Sequence, residues 1–234
     1  MLTHAQVRAS IARATDYLNR ATHPHALMFM TILHRRFGIE EFADAGKRYD
    51  EVLPLQPPAD QPVLRVFRRI FDANNPIVPG DWDHVVIPTD RLIISALYCD
   101  RLGLPDNYAE ALQRAVSQGG YGRTHAVLAW AWIQDNRYKL ELPDEFLEEM
   151  FSTTADIINE DPTSVDDVKL EAGAFLCMAR QAERVDLGFV SRVLAFQNPD
   201  GGWGAKDDSN WHATILALMI VLHVTFPQAS ALLP

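Results

Sequence analysis

The sequence predicts an all-α protein, and within that class an α/α toroid: a closed ring of about six helical hairpins with inner and outer helix layers. Three observations carry this. Along the 234 residues, amphipathic segments alternate with compact runs that are apolar nearly all round. Those runs are rich in Ala, Leu and Met and poor in Val, which favours helix over buried strand. The pairs recur at offsets of 35, 43 and 44 residues, marked by Asp90, His125, Val168 and His212, as a helical-hairpin array would. A helix apolar on every face must be covered on every face. An open solenoid would show polar residues on its inner face, so the closed ring is favoured.

The first amphipathic segment is 5–20, where Val7, Ile11, Ala14 and Leu18 recur at steps of three and four. The compact run 26–33 follows, and the LHRRFG beyond it places basic residues in a last turn with Gly just past it. Segments 40–53 and 61–72 are amphipathic and form either a sixth hairpin or extra outer helices. Residues 74–88 contain three prolines and no helical pattern, so they read as a loop long enough to be a lid or pocket wall. Within it, Gly80-Asp81-Trp82-Asp83-His84 gathers carboxylates, imidazole and indole, for which a solvated turn is the plainer expectation. The run 92–99 is preceded by Thr89 as N-cap and closes at Gly103. Segment 107–117 pairs with 126–133, whose expected cap is Thr124; 143–159 pairs with 172–179, and 186–197 with 213–222. The whole chain, 1–234, reads as one domain.

With 48% apolar and 22% charged residues the chain can fill a sizeable core, which excludes a disordered chain. Its 21 basic and 31 acidic side chains give a net charge of −10, opposite in sign to a non-specific nucleic-acid or anionic-membrane binder. Cys99 and Cys177 lie inside apolar runs, so no disulfide framework is implied. The amphipathic start has no apolar signal core, and the longest apolar run is too short for a transmembrane segment. A soluble, cytoplasmic protein is expected, with an apolar small molecule as partner, no nucleic acid, and an oligomeric state left open. Phosphate loop, dinucleotide fingerprint and nucleophile elbow are missing.

The stretch Phe196-Gln197-Asn198-Pro199-Asp200-Gly201-Gly202-Trp203-Gly204 resembles the glutamine–tryptophan repeat of terpenoid cyclases, in which a Gln at a helix end ties down a Gly-rich turn beside an aromatic ring. A weaker copy is Gln118-Gly119-Gly120-Tyr121-Gly122. Each is followed by an apolar run opening with His, at Thr124-His125-Ala126 and Trp211-His212-Ala213. The array and these turns together resemble the α/α-toroid superfamily of squalene and hopene cyclases and protein prenyltransferase β-subunits. The resemblance implies a central chamber for an isoprenoid-like substrate. It implies a zinc ligand at His212, although the Asp-x-Cys partner of prenyltransferases is missing. It also implies a general acid at Asp166, although Ser164-Val165-Asp166-Asp167 departs from the Asp-x-Asp-Asp of class II cyclases. The zinc ligands of lanthionine cyclases are absent too.

The sharpest constellation follows from geometry. Parallel inner helices would share one rim, placing His25, His125 and His212 at helix starts around one mouth, with Asp90 opening another helix. Three imidazoles there would suit Zn²⁺ with a fourth open position; alternatively each His caps its helix. Asp166 and Asp167 form an acidic pair, one member of which can stay protonated in an apolar chamber; alternatively both complement the helix dipole. Phe29, Trp132, Phe175, Trp203, Trp211 and Tyr121 are candidate substrate contacts able to shield a carbocation, or core filling. His34 and His223 belong to the opposite end.

Function stays open among three readings. The first is an enzyme, cyclase-, transferase- or lyase-like, transforming an apolar isoprenoid-like or natural-product substrate by metal or Asp general-acid chemistry. The second is a non-catalytic ligand-binding or interaction module on the same fold. A glycan-processing helical barrel is disfavoured, because few carboxylates open the inner helices.

Overall fold

The computed structural model describes residues 3–226. Among them the regular structure is twelve α-helices, short 3₁₀ turns and one two-stranded hairpin. The protein is therefore all-α, as its composition and periodicity require.

Each compact run is the body of a buried helix. These are α2 (Pro24–Phe37), α5 (Pro88–Leu97), α8 (Gly120–Asp135), α10 (Asp167–Met178) and α12 (Trp211–Thr225). They pack side by side in the order α5, α8, α10, α12, α2. In α12 every residue from Ala213 to His223 is buried, which is what a helix without a polar face demands. At Gly173 an added Cβ would lie 2.9 Å from Ile220 Cδ1, so the glycine sets the close approach of α10 to α12.

The amphipathic segments cover this row. α1 (His4–Leu18) and α11 (Leu187–Ala195) pack on α12, and α3 (Ala45–Val52) on α2. α7 (Tyr108–Gln118) packs on α5 and α8, and α9 (Asp144–Asn159) on α8 and α10. α1 opens with a capping box between Thr3 and Gln6. α2 starts on Pro24, where a missing N–H is harmless, and ends at Gly38 with φ +68°. One apolar core runs from Ala14 to Leu222.

Segment 40–72 is α3 and the short α4 (Gln61–Phe67), interleaved with 3₁₀ turns. It reaches both neighbours. Arg35 donates to Ile70 O at 3.3 Å from the α2 side. From the other side Tyr98 donates to Val66 O at 2.9 Å, and Arg69 pairs with Asp100 of α6 (Cys99–Leu102) at 2.8 Å. The region thus stands between α2 and the α5–α6 unit.

Some local expectations are corrected. Thr89 is not a cap, since α5 already begins at Pro88 after Ile87. Thr124 is not a cap either: Gly119, at φ +69°, lets the chain turn from α7 into α8, which starts at Gly120. The loop 74–88 contains a 3₁₀ turn, Asp81–His84, held to α4 by Arg65 donating to both Asp81 carboxylate oxygens at 2.9 and 2.7 Å. Asp81 is buried by this pairing rather than solvated.

The glycine-rich turn after α11 behaves as its Gln suggests. Gln197 donates through Nε2 to Gly201 O at 2.8 Å and to Ser10 O of α1 at 2.9 Å. The Trp203 indole is buried and donates to Val193 O. An unforeseen hairpin, β1 (Trp203–Ala205) with β2 (Asp208–Asn210), then leads into α12. At the weaker copy, Tyr121 sits in the first turn of α8, half-exposed. No described helix is long and apolar enough to cross a membrane.

Candidate functional site

The N-terminal ends of α2, α8, α10 and α12 lie together, so these four inner helices run the same way. Their C-terminal ends meet too. There Arg180 lies 3.5 Å from Asp135, and Arg36 carries its charge close enough to depress the pKa of His223. Four helix N-termini at one end make a positive electrostatic field that favours carboxylates, and two are found there.

Asp167 is the first residue of α10, preceded by Asp166, whose carboxylate caps the helix by accepting from Lys169 N at 3.0 Å. Glu171, one turn along, projects on the same face. His212 is the second residue of α12, held there by the Asn210 cap, which accepts from Ala213 N at 2.8 Å. His212 Nδ1 donates to Asp167 Oδ1 at 2.9 Å, which leaves Nε2 facing Glu171 Oε1 at 3.6 Å. Tyr121 of α8 donates to the other Asp167 oxygen at 2.8 Å. Thr124, also of α8, donates to Glu171 Oε2 at 2.6 Å. His125 donates from Nδ1 to Tyr121 O at 2.8 Å and lies 3.5 Å from Glu171 Oε2. A carbonyl only accepts, so neutral His125 carries its proton on Nδ1 and keeps its lone pair on Nε2.

Accessibility grades across this group. The side chains of Asp167 and His212 are 38% and 32% exposed, while Glu171 is only 4% exposed. Protonation follows. Burial pushes the Glu171 carboxyl up to about 7, with Thr124 and His212 pulling the other way. The hydrogen bond from His212 holds Asp167 below the usual carboxylate range. For His212 burial opposes protonation, but Asp167 and Glu171 outweigh it and its pKa is raised. His125 is lowered by burial. His25, buried beside His23 and feeling the His212 charge, is lowered to about 4. An imidazolium–carboxylate pair thus stands beside a carboxyl that titrates near neutrality.

Aromatic rings extend the mouth. Trp211 stacks on His23 at a centroid distance of 4.5 Å, and His25 meets the edge of Phe67 at 5.8 Å. Phe175 lies beneath His125 at 6.1 Å. An open groove of about 640 Å³ begins at His23 and Trp211 and runs past Tyr17, Arg20 and Asp200.

The starts of α2, α8, α10 and α12 lie together, but the residues in contact there differ from the expected set. His212 and Asp167 are in contact, and His125 is adjacent. His25 reaches the group through Trp211, 6.3 Å away centroid to centroid. The three imidazoles do not form one ligand set: among the described residues, the cluster at ligand distance is Asp167, Glu171 and His212, whose donor atoms lie within 4.8 Å of one another. One imidazole and two carboxylates suit Zn²⁺ or an oxygen-preferring divalent ion. With Nδ1 engaged by Asp167, His212 Nε2 is the atom available to such an ion.

Asp166 is exposed and spent on capping α10. Asp90 is half-buried in the first turn of α5, its pKa raised by burial, with no hydrogen bond or ion pair to this group. Of the proposed substrate contacts, Tyr121, Trp211 and Phe175 belong to the mouth. Trp132 and Trp203 are sealed in the core at 0% and 1% exposure, and Phe29 is a partly buried ring packed on that core. Glu171 and His23 were not singled out from the sequence. The available signal for Glu171 was a carboxylate one turn after Asp167, immediately before the apolar run 172–179.

Comparison with family models, curated proteins and solved structures finds no match for this chain. Fold and site alone define its class: an all-α hairpin array with an acid–base cluster at the shared N-terminal end of its inner helices.

Proposed function

We propose that this end of the inner helices is a proton-transfer site for an apolar, isoprenoid-like small molecule, on a ring that closes where α12 meets α2 and where segment 40–72 bridges α2 to α5. The observation that carries the reading is the convergence of Asp167, Glu171 and His212, two helices contributing donor atoms within 4.8 Å of one another. A ligand atom within hydrogen-bond reach of both His212 Nε2 and Glu171 Oε1 would meet a proton donor and a proton acceptor at once. Asp167 orients His212 and stabilises its cation. Thr124 fixes the Glu171 carboxyl and Tyr121 fixes Asp167. Trp211, His23 and Phe175 supply faces for an apolar body and, in a cationic reaction, for developing positive charge. The resemblance to terpenoid cyclases and prenyltransferase β-subunits supports the same substrate class, with the acid moved from Asp166 to Glu171.

Two experiments together test this. Farnesol and farnesyl diphosphate are incubated with wild type and Glu171→Gln, with product analysis by mass spectrometry and farnesol binding by calorimetry. Conversion by wild type that is lost in the variant supports acid–base catalysis. Binding without conversion leaves a ligand-binding module, and absence of both rejects the reading.

A second reading, a divalent-cation site, draws on the same donor set. Near-stoichiometric metal in purified wild type that is lost in both His212→Ala and Glu171→Gln would establish it, and metal-free protein that still binds farnesol would remove it.

A further inference from the structure

A second concavity lies where the 81–91 segment meets α5 and α7. Its volume is about 710 Å³, within the roughly 300–1,000 Å³ typical of small-molecule pockets. It is lined by Trp82, Val86, Leu92 and Ala111, with Arg91 and Arg114 among the polar groups.

The groove is a built feature. The Arg65–Asp81 pair pins the 3₁₀ turn that carries Trp82, and the indole meets the edge of Tyr98 at 5.2 Å. Tyr108 fixes α7 to α5 by donating to Leu92 O at 2.8 Å. Arg91 is anchored by its Nε, which donates to Val85 O at 2.5 Å. Among the described residues, the two terminal guanidinium nitrogens have no other hydrogen bond or ion pair.

The charge pattern selects the occupant. Neither Arg91 nor Arg114 forms an ion pair among the described residues, although the chain carries ten more acidic than basic side chains. Two arginines from different helices therefore line one apolar trough uncompensated among the described residues, apart from Asp83, which also lines it without an ion pair there. Arg is the side chain suited to two-point recognition of a carboxylate.

From this we infer that the groove binds an amphipathic monocarboxylate, its aliphatic body along Trp82, Val86 and Leu92 and its head group between Arg91 and Arg114. The site is independent of the cluster at the inner-helix mouth.

The test is calorimetric titration of the full chain with decanoate, decanol and decyltrimethylammonium. Decanoate is expected to bind about tenfold more tightly than decanol, the difference expected of one charge-assisted contact, and the cation more weakly still. Arg114→Gln removes a side chain with no hydrogen bond among the described residues and should erase most of that preference. Arg91→Gln with Arg114→Gln should erase all of it. Asp83→Asn should tighten decanoate, and Glu171→Gln should leave binding unchanged. Equal binding of decanoate and decanol, preference for the cation, failure of decanoate to bind, or an undiminished preference in a double variant with wild-type circular dichroism would each overturn the assignment.

Discussion

His212 Nδ1 stands 2.9 Å from Asp167 Oδ1, and this bond joins the start of α12 to the start of α10 and sets the protonation of both groups. The Asp167 pKa is lowered and the His212 pKa raised, so near neutrality the pair favours imidazolium and carboxylate. In Asp167→Asn the anionic partner is gone while burial of His212 remains. The His212 imidazole should then titrate well below its wild-type value, read by NMR of the ring protons. An unchanged titration would mean that Glu171, not Asp167, holds the His212 proton.

Glu171 gives a pH dependence of opposite sign to an ordinary paired carboxylate. Its folded pKa, about 7, lies above the value of 4.5 expected when unfolded. The native state therefore holds the proton longer, and this group lowers stability as pH rises from about 4.5 to about 7. Glu171→Gln keeps an acceptor for Thr124 but cannot ionise. The variant should be more stable than wild type at pH 8 by up to about 3 kcal/mol, with the difference vanishing near pH 4. Urea unfolding at both pH values checks this. A variant less stable at pH 8 would show Glu171 to be an ionised, stabilising partner of His212.

How much of this was legible in the sequence depends on how local each signal is. Helix identity followed from composition, because Ala, Leu and Met in runs such as 213–222 favour helix whatever surrounds them. The expectation of a shared mouth came from His25, His125 and His212 standing near helix starts, whereas Asp90, grouped with them, has no bond to it among the described residues. What failed needed three-dimensional context. Trp203 and Trp211 look alike in sequence, yet one is sealed behind the turn and bonded to Val193 O while the other opens α12 beside His23. Glu171 stands at the edge of the apolar run 172–179, where only the partner helices reveal that Thr124 and His212 face it. The hairpin β1–β2 has three residues per strand, too few for an alternation pattern to register.

Gln197 is worth more than a surface glutamine because it serves three segments at once. Its amide donates to Ser10 O and Gly201 O and accepts from Ser10 Oγ at 2.8 Å, tying α1, the end of α11 and the glycine turn together. Gln197→Ala leaves part-buried carbonyls without this donor, which should cost about 2 kcal/mol. A fall in melting temperature of about 4–8 °C is expected for a chain of this size. Scanning calorimetry reads it directly; a change under one degree would mean that water replaces the amide without loss.

Acid stability is governed from the opposite end of the inner helices. His223 donates from Nδ1 to Met219 O at 2.8 Å, its Nε2 is buried without a hydrogen-bond partner among the described residues, and Phe37 covers it edge-on at 4.8 Å. Burial, with the Arg36 charge adding to it, depresses its pKa from 6.5 to about 3. The neutral form fits the fold and the cation does not. The unfolded chain therefore binds this proton first, and native stability drains away as pH falls from 6.5 towards 3. His25, lowered to about 4, adds a second loss with the same sign over the upper part of that window. Replacing His223 by Leu removes one of the two titrations and retains an apolar contact for Phe37. The variant should lose markedly less stability than wild type between pH 7 and pH 4.5, measured as the shift in urea midpoint at each pH. Parallel slopes for the two proteins would show that the acid sensitivity originates instead at His25 and His125, whose pKa values burial also lowers.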